Sequence, residues 1–256
     1  MYQQDPPADP KQVLPTMYGL PSENPEEPGL PDEFHDLQPE LLRLTFRPPH
    51  YPANQIFLGS NLNLYYHPRH SGWYKCPDWF AVVGVERLYE GWDLRLSYVI
   101  WQEGVNPLVV VELLSPGTEA EDLGQMLREV NRPPTKWEVY EQILRIPYYV
   151  VFDRYTDECR AFGLVMNRYQ PLSLEQGRLW LEEVQLGLGL WQGEYQGIER
   201  LWLRWYDAAG DWIPTARIRE RREKELAQQQ AVQERERAER LAARLREMGV
   251  EPEDLL

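Results

Sequence analysis

Two short runs constrain this chain more than any other feature: Cys76-Pro77-Asp78-Trp79-Phe80-Ala81-Val82-Val83-Gly84-Val85 and Leu108-Val109-Val110-Val111-Glu112-Leu113-Leu114-Ser115-Pro116. Both are apolar, rich in β-branched and aromatic residues, and closed by Gly or Ser-Pro, which is the pattern of buried strands. Each carries one carboxylate. Asp78 opens the first run, and Glu112 lies inside the second, where alternation puts it on one face with Leu108, Val110 and Leu114. A carboxylate on a buried strand is costly unless it is paired, hydrogen-bonded or bound to a metal. Two of them on neighbouring strands suit a hard divalent cation, which takes oxygen ligands. The competing expectation is structural, with Asp78 capping the turn after Pro77 and Glu112 pairing with an arginine.

Residues 1–32 hold eight Pro, six Asp or Glu and one Lys, with little apolar content to offset the entropy of ordering. An extended acidic arm is expected over residues 1–39 and a folded domain over residues 40–215. Glu40 to Leu44 enters it as a short helix or strand. The alternating segment Asn61–Tyr66 and the loop from His67 to Lys75 are expected to form an antiparallel pair with the Asp78 strand. Residues 86–107 make a long excursion whose Trp92, Tyr98 and Trp101 are read chiefly as cover for the sheet, with base stacking as the alternative. Thr118 is expected to cap a helix bearing Glu119, Glu121 and Asp122 in its first turn, broken near Pro133. Thr135 and Glu138 make a capping box for a second helix, with Trp137, Tyr140, Ile143 and Leu144 as its apolar stripe.

A buried strand over Tyr148–Asp153 and a return over Arg160–Val165 come next. Further strands over Trp180–Val184 and Arg200–Trp205 are separated by Gly-rich loops. The fold class is therefore α/β, a mixed β-sheet flanked by helices. Residues 216–256 change character: rich in Arg, Glu, Gln and Ala, they predict a long exposed helix. Ile218, Leu226, Leu241 and Leu245 give it a thin seam, suited to a weak coiled coil that joins copies of the chain or to a solvated single helix.

Composition narrows the partners. The formal charge is −14, with one basic against eight acidic residues in the first 39 and ten against seven over residues 217–247. Polynucleotide binders usually neutralise phosphates with a basic face, so nucleic-acid binding here requires a local patch. No run approaches the roughly 18 apolar residues of a membrane span. The opening Met1-Tyr2-Gln3-Gln4-Asp5-Pro6-Pro7 lacks a basic and then apolar leader, so no signal peptide is expected. Cys76 and Cys159 are too few for a disulfide framework, which points to a reducing, cytoplasmic setting. His35, His50, His67 and His70 show no metal-ligand spacing, and the last two sit in a loop expected to be solvated. Ser115 has no Gly-x-Ser-x-Gly elbow around it, which speaks against acyl transfer.

The order Pro77-Asp78, then Glu112-Leu113-Leu114-Ser115-Pro116-Gly117-Thr118 with Asp122 following, then Lys136 and Tyr140 on a helix, then Tyr148-Tyr149-Val150-Val151-Phe152-Asp153, resembles the Uma-type restriction endonucleases. That family lies within the PD-(D/E)xK nuclease superfamily, and the resemblance runs over roughly residues 50 to 205. It implies a restriction-endonuclease-like fold, DNA as substrate, and Mg²⁺ or Mn²⁺ held by Asp78, Glu112 and the backbone carbonyl of Leu113. Glu40 is its candidate for the acidic residue that many such nucleases carry on a first helix.

In the superfamily pattern a lysine follows the second carboxylate by two residues, and here that position is Leu114. Lys136 is the expected replacement, since on a helix it shares a face with Tyr140 and Ile143 and family members carry a lysine on this helix. Gln125, one turn beyond Asp122, is the alternative, able to orient water without supplying charge. Asp78, Glu112 and Lys136 are thus the expected catalytic residues of a divalent-metal-dependent endonuclease. The alternative is a nuclease-fold protein without activity that serves as a binding or assembly module, favoured by the acidic charge and the missing strand lysine.

Overall fold

The computed structural model describes residues 32–115, 119–125 and 133–247. Helix α1 (Glu33–Thr45) starts at Asp32, whose carboxylate accepts the N–H groups of Phe34 and His35. It therefore begins inside the stretch expected to be an extended arm. The physical reason is its apolar face: Phe34, Leu41 and Leu42 are buried, and Gln38 bonds both backbone groups of Leu203 at 2.9 Å, as a neighbouring strand would.

Strands β1 (Ile56–Gly59), β2 (Leu64–Tyr65), β3 (Tyr74–Lys75), β4 (Trp79–Val83) and β5 (Tyr98–Val99) follow, then the short helix α2 (Ile100–Glu103) and β6 (Val109–Leu113). Helices α3 (Glu119–Asp122) and α4 (Lys136–Glu138), the latter continued by a π-helical turn over Val139–Ile143, precede β7 (Tyr148–Asp153), β8 (Glu158–Val165) and β9 (Arg168–Leu172). The chain closes with β10 (Arg178–Leu181), β11 (Leu186–Tyr195), β12 (Ile198–Tyr206) and the long helix α5 (Ala216–Glu247).

The central sheet has the order β1-β4-β6-β7-β8-β9, with β6 and β7 parallel and the other pairs antiparallel. Both faces are covered. Val109, Val111 and Leu113 of β6 pack toward α1 and the β10-β11-β12 sheet, while Val110 and Leu114 pack toward the helical segment after Thr135 and the small β3-β2-β5 sheet. Two-sided burial explains why the two diagnostic strands read as near-continuous apolar runs.

Three local expectations are corrected. The partner of the Asp78 strand is β1, not the Asn61–Tyr66 segment: Asn61, at φ 47°, turns the chain out of the sheet, and β2 pairs with β3 instead. The supposed Gly-rich loop between the last two strands contains β11, paired along its length with β12. Its glycines make room for rings, since a Cβ at Gly187 would overlap the Tyr206 ring. The stripe of the second helix is shifted by the π turn, in which the Leu144 N–H bonds to the Val139 carbonyl at 2.8 Å. Widening of the turn buries Leu144 and leaves Ile143 41% exposed.

Within residues 86–107, Tyr98 does cover the sheet, stacked on Phe57, and Arg95 lies over the same ring while paired with Glu103 at 2.7 Å. Trp92 stands out into solvent. The expected cap Thr118 lies outside the described residues. Helix α5 is exposed along most of its length, with Arg221–Glu225 and Arg235–Glu239 pairs one turn apart. No helix among the described residues is long and apolar enough to cross a membrane.

Candidate active site

Antiparallel pairing of β4 with β6 sets Trp79 opposite Val111, so Asp78 falls beside Glu112 and Leu113 at one end of the sheet. The Leu113 N–H donates to Asp78 Oδ2 at 2.6 Å, and the Asp78 N–H approaches Glu112 Oε2 at 3.4 Å. Each carboxylate is thus aimed by the other strand's backbone. Glu112 is fully buried, on the face of β6 that alternation assigns it.

Over that face lies the segment capped by Thr135, whose hydroxyl accepts the Glu138 N–H while Glu138 returns a bond to the Thr135 N–H. The cap fixes the first turn and projects Lys136 and Tyr140 at the sheet. Lys136 Nζ lies 3.1 Å from Glu112 Oε2 and 2.8 Å from Asp122 Oδ1, and the Tyr140 hydroxyl donates to Glu112 Oε1 at 2.8 Å. Asp122 is buried at the end of α3, where its backbone carbonyl accepts the Tyr149 hydroxyl at 2.9 Å.

The sequence-expected residues Asp78, Glu112, Leu113 and Lys136 therefore meet in one place. Gln125 does not join them: it is exposed, and among the described residues no side-chain bond links it to the cluster. Glu40 does not join them either, because its carboxylate accepts the Tyr195 hydroxyl at 2.6 Å.

Two members are given no site role by the chain alone, although Asp122 falls within the family's order of residues. Asp122 follows Glu119 and Glu121 and looks like one more acid at a helix start. His35 sits in the stretch taken for an arm, yet it is buried, with Nδ1 2.8 Å from Asp32 Oδ1 and Nε2 3.1 Å from the Leu113 carbonyl oxygen. The only signal for it is Asp32 three residues upstream, a helix cap that its ring also meets.

Charge in the cluster is unbalanced, with three carboxylates around one ammonium. Burial, joined by Asp78 and Asp122 and opposed by Lys136, holds the Glu112 carboxyl well above its usual range. Burial would lower the Lys136 ammonium, but Glu112, Asp122 and Asp78 together outweigh it and hold it well above its ordinary value. Cys76 beside them is pushed up to about 11 by desolvation and then by Glu112 and Asp78, so it stays a thiol at neutral pH. Among the described residues no three His, Cys, Asp or Glu side chains gather into a metal-ligand group.

No curated protein matches the sequence. A family model described as "Uma2: Putative restriction endonuclease" matches residues 16–195, most of the chain and all of this cluster. With a match over more than half its length, the chain belongs to the Uma2 family.

Proposed function

We propose that this protein is a divalent-metal-dependent endonuclease that hydrolyses DNA phosphodiester bonds at the Asp78–Glu112–Lys136 cluster. The observation that carries the reading is the position of Lys136. It reaches Glu112 from the covering helix, over the β6 face on which the superfamily's strand lysine would stand and where Leu114 stands here.

The donor set fits a hard cation. Asp78, Glu112 and the Leu113 carbonyl offer only oxygens, and a carbonyl already facing His35 retains a second lone pair. The carboxylate excess also favours added positive charge there. Mg²⁺ or Mn²⁺ bound by these three would neutralise charge on the phosphate and lower the pKa of an attacking water.

The remaining work falls to the chain's own groups. Lys136 Nζ, held as an ammonium, donates to the attacking water and stabilises the hydroxide left as the water's proton passes to solvent. Asp122 holds Lys136 in place, and the Tyr140 hydroxyl fixes the Glu112 carboxylate. The Leu113 N–H holds Asp78. The two unpaired cysteines accord with a reducing cytoplasm.

Plasmid nicking with Mg²⁺ and with Mn²⁺, beside calorimetric titration of Mn²⁺, tests the proposal. Wild type should nick and bind metal, and Asp78→Asn should lose both. Metal binding without nicking would favour the family fold serving as a binding module, and equal Mn²⁺ affinity in the two proteins would make Asp78 structural.

A further inference from the structure

A chain of charge −14 must meet phosphates somewhere other than its average surface, and the distribution of acids shows where. Of 41 Asp and Glu residues, none lies between Glu40 and Asp78, a stretch that carries Arg43, Arg47, Arg69, Lys75 and three of the four histidines. Folding lays its first half along the outer edge of the central sheet. β1 is the edge strand, and the end of α1 runs beside it.

A cleft of about 340 Å³ opens there, lined by Arg43, Arg47 and Arg87 with Phe46, Ile56 and Leu58 among its walls, and no carboxylate lines it. Arg43 is fixed against the strand, donating from Nη1 to the Leu58 carbonyl at 3.0 Å and from Nη2 to Ser60 Oγ at 2.9 Å. Arg47 donates from Nη1 to the Phe46 carbonyl at 2.7 Å. Arg87 is anchored by its own N–H, which bonds to the Asn54 carbonyl at 2.8 Å.

Each guanidinium has five N–H donors, so these bonds position the groups without exhausting them. Among the described residues none of the three forms an ion pair with a carboxylate. Burial and Arg87, opposed by Glu40, lower the Arg43 guanidinium, and burial with Arg219 does the same to Arg47. Three like charges around a cleft that no carboxylate lines outweigh the single acid nearby, Glu40 on α1, and make a site for an anion.

The cleft opens on the α1 face of the sheet and the Glu112 side of the cluster on the other, and the end of β1 links the two around the sheet edge. Ser60, which holds Arg43, precedes Asn61, whose N–H bonds to the carbonyls of Pro77 and Asp78 at 3.1 and 3.3 Å. From Asn54 to Ser60 the edge spans about 20 Å at about 3.3 Å per residue. That is about six nucleotide steps at about 3.4 Å each. We propose that Arg43, Arg47 and Arg87 beside the edge of β1 bind backbone phosphates of the polynucleotide whose scissile bond lies at Asp78 and Glu112. This surface rests on the nuclease reading for the scissile bond but not for the binding.

The test is fluorescence anisotropy of a labelled DNA duplex in EDTA over a series of salt concentrations. Wild type is compared with Arg47→Glu/Arg87→Glu and with a charge-matched control, Arg145→Glu/Lys224→Glu. Arg47 and Arg87 are exposed, so folding should survive, which thermal melting checks. Should the double variant melt early, Arg87→Gln alone is scored in the same way, with a slope change of about one.

The cleft variant should bind at least about tenfold more weakly, with a log–log salt slope smaller by about two, near 0.9 per lost phosphate contact. The control should stay within about twofold of wild type. Equal loss in the control, an unchanged cleft variant, or no binding by wild type would each overturn the surface. Plasmid cleavage with Mg²⁺ separates the two claims. Cleavage indifferent to the arginines overturns the surface and leaves the nuclease, whereas arginine-dependent binding without cleavage keeps the surface and overturns the nuclease.

Discussion

Replacing Lys136 with methionine keeps the aliphatic stem and removes only the ammonium. Its partners Glu112 and Asp122 are 0% and 1% exposed, and Nζ sits 3.1 and 2.8 Å from them. Removing one member of a buried ion pair typically costs about 3–5 kcal/mol, because the charge left behind has neither partner nor water. Two features of this site pull toward the low end. Glu112 already sits well above its usual range, so it can take a proton rather than stay charged, and the Tyr140 hydroxyl still donates to it. A loss of about 3 kcal/mol is expected at pH 7, read from urea unfolding.

The sign of its pH dependence follows from Glu112. A carboxyl whose folded pKa is raised favours the fold at low pH, where it is protonated in both states. That advantage is lost as pH rises above the unfolded value near 4.5. The Lys136→Met deficit should therefore shrink as pH falls toward 4.5. Adding Glu112→Gln should recover part of the loss by removing the stranded charge. A deficit within about 0.5 kcal/mol, typical of a surface site, with no coupling to Glu112→Gln, would refute the argument. Nicking should fall at least about a hundredfold while Mn²⁺ affinity holds; an unchanged rate would remove Lys136 from the chemistry even if stability fell.

Other outcomes follow from single contacts. Gly187→Ala should lower the melting temperature by an amount equivalent to about 1–3 kcal/mol, since the new Cβ meets a Tyr206 ring boxed in by Trp180 and Trp212; an unshifted melt would mean that β11 and β12 part easily. Burial would raise the Glu141 carboxyl, but bonds from the Tyr169 N–H at 2.8 Å, from Gln142 and from Arg168 outweigh it and hold it below its usual range. Its stabilisation, about 1.5–3 kcal/mol for a charge-assisted bond, is present above pH 4.5 and fades as pH falls through the lowered folded value, so Glu141→Gln should destabilise at pH 7 and become indistinguishable from wild type in strong acid. Cutting the chain after residue 215 should leave the melt nearly unchanged and lower any oligomer mass in light scattering, because α5 is exposed along most of its length; failure of the shortened chain to fold would give the helix a place in the core.

Local chemistry is legible along the chain wherever its cause is local. Alternation about Glu112 identified the face it occupies, because side chains on a strand alternate whatever the partner. The Thr135–Glu138 box was readable because both of its bonds close within one turn. The composition break near Thr215 announced an exposed helix, since a segment so poor in apolar residues has no face to bury.

Contacts between distant segments were not legible in this way. That Asn61 turns out of the sheet and yields the Asp78 strand to β1 depends on competition between alternative pairings, which sequence periodicity does not rank. The glycines of β11 look like loop punctuation until the rings they admit are in place. Ile143 leaves the apolar stripe because of one π turn, while Leu144 keeps its place in it.

The candidate site divides along the same line. Asp78 and Glu112 stand out because a carboxylate in an apolar run is locally anomalous. Asp122 and His35 do not, because one hides among acids at a helix start and the other in a stretch dense in prolines. Only the packing of α3, α4 and α1 against the end of the sheet brings Asp122 to Lys136 and His35 to Leu113. Chain order can nominate Lys136, but its closeness to Glu112 is set by which helix covers which face, a balance of burial summed over the whole core.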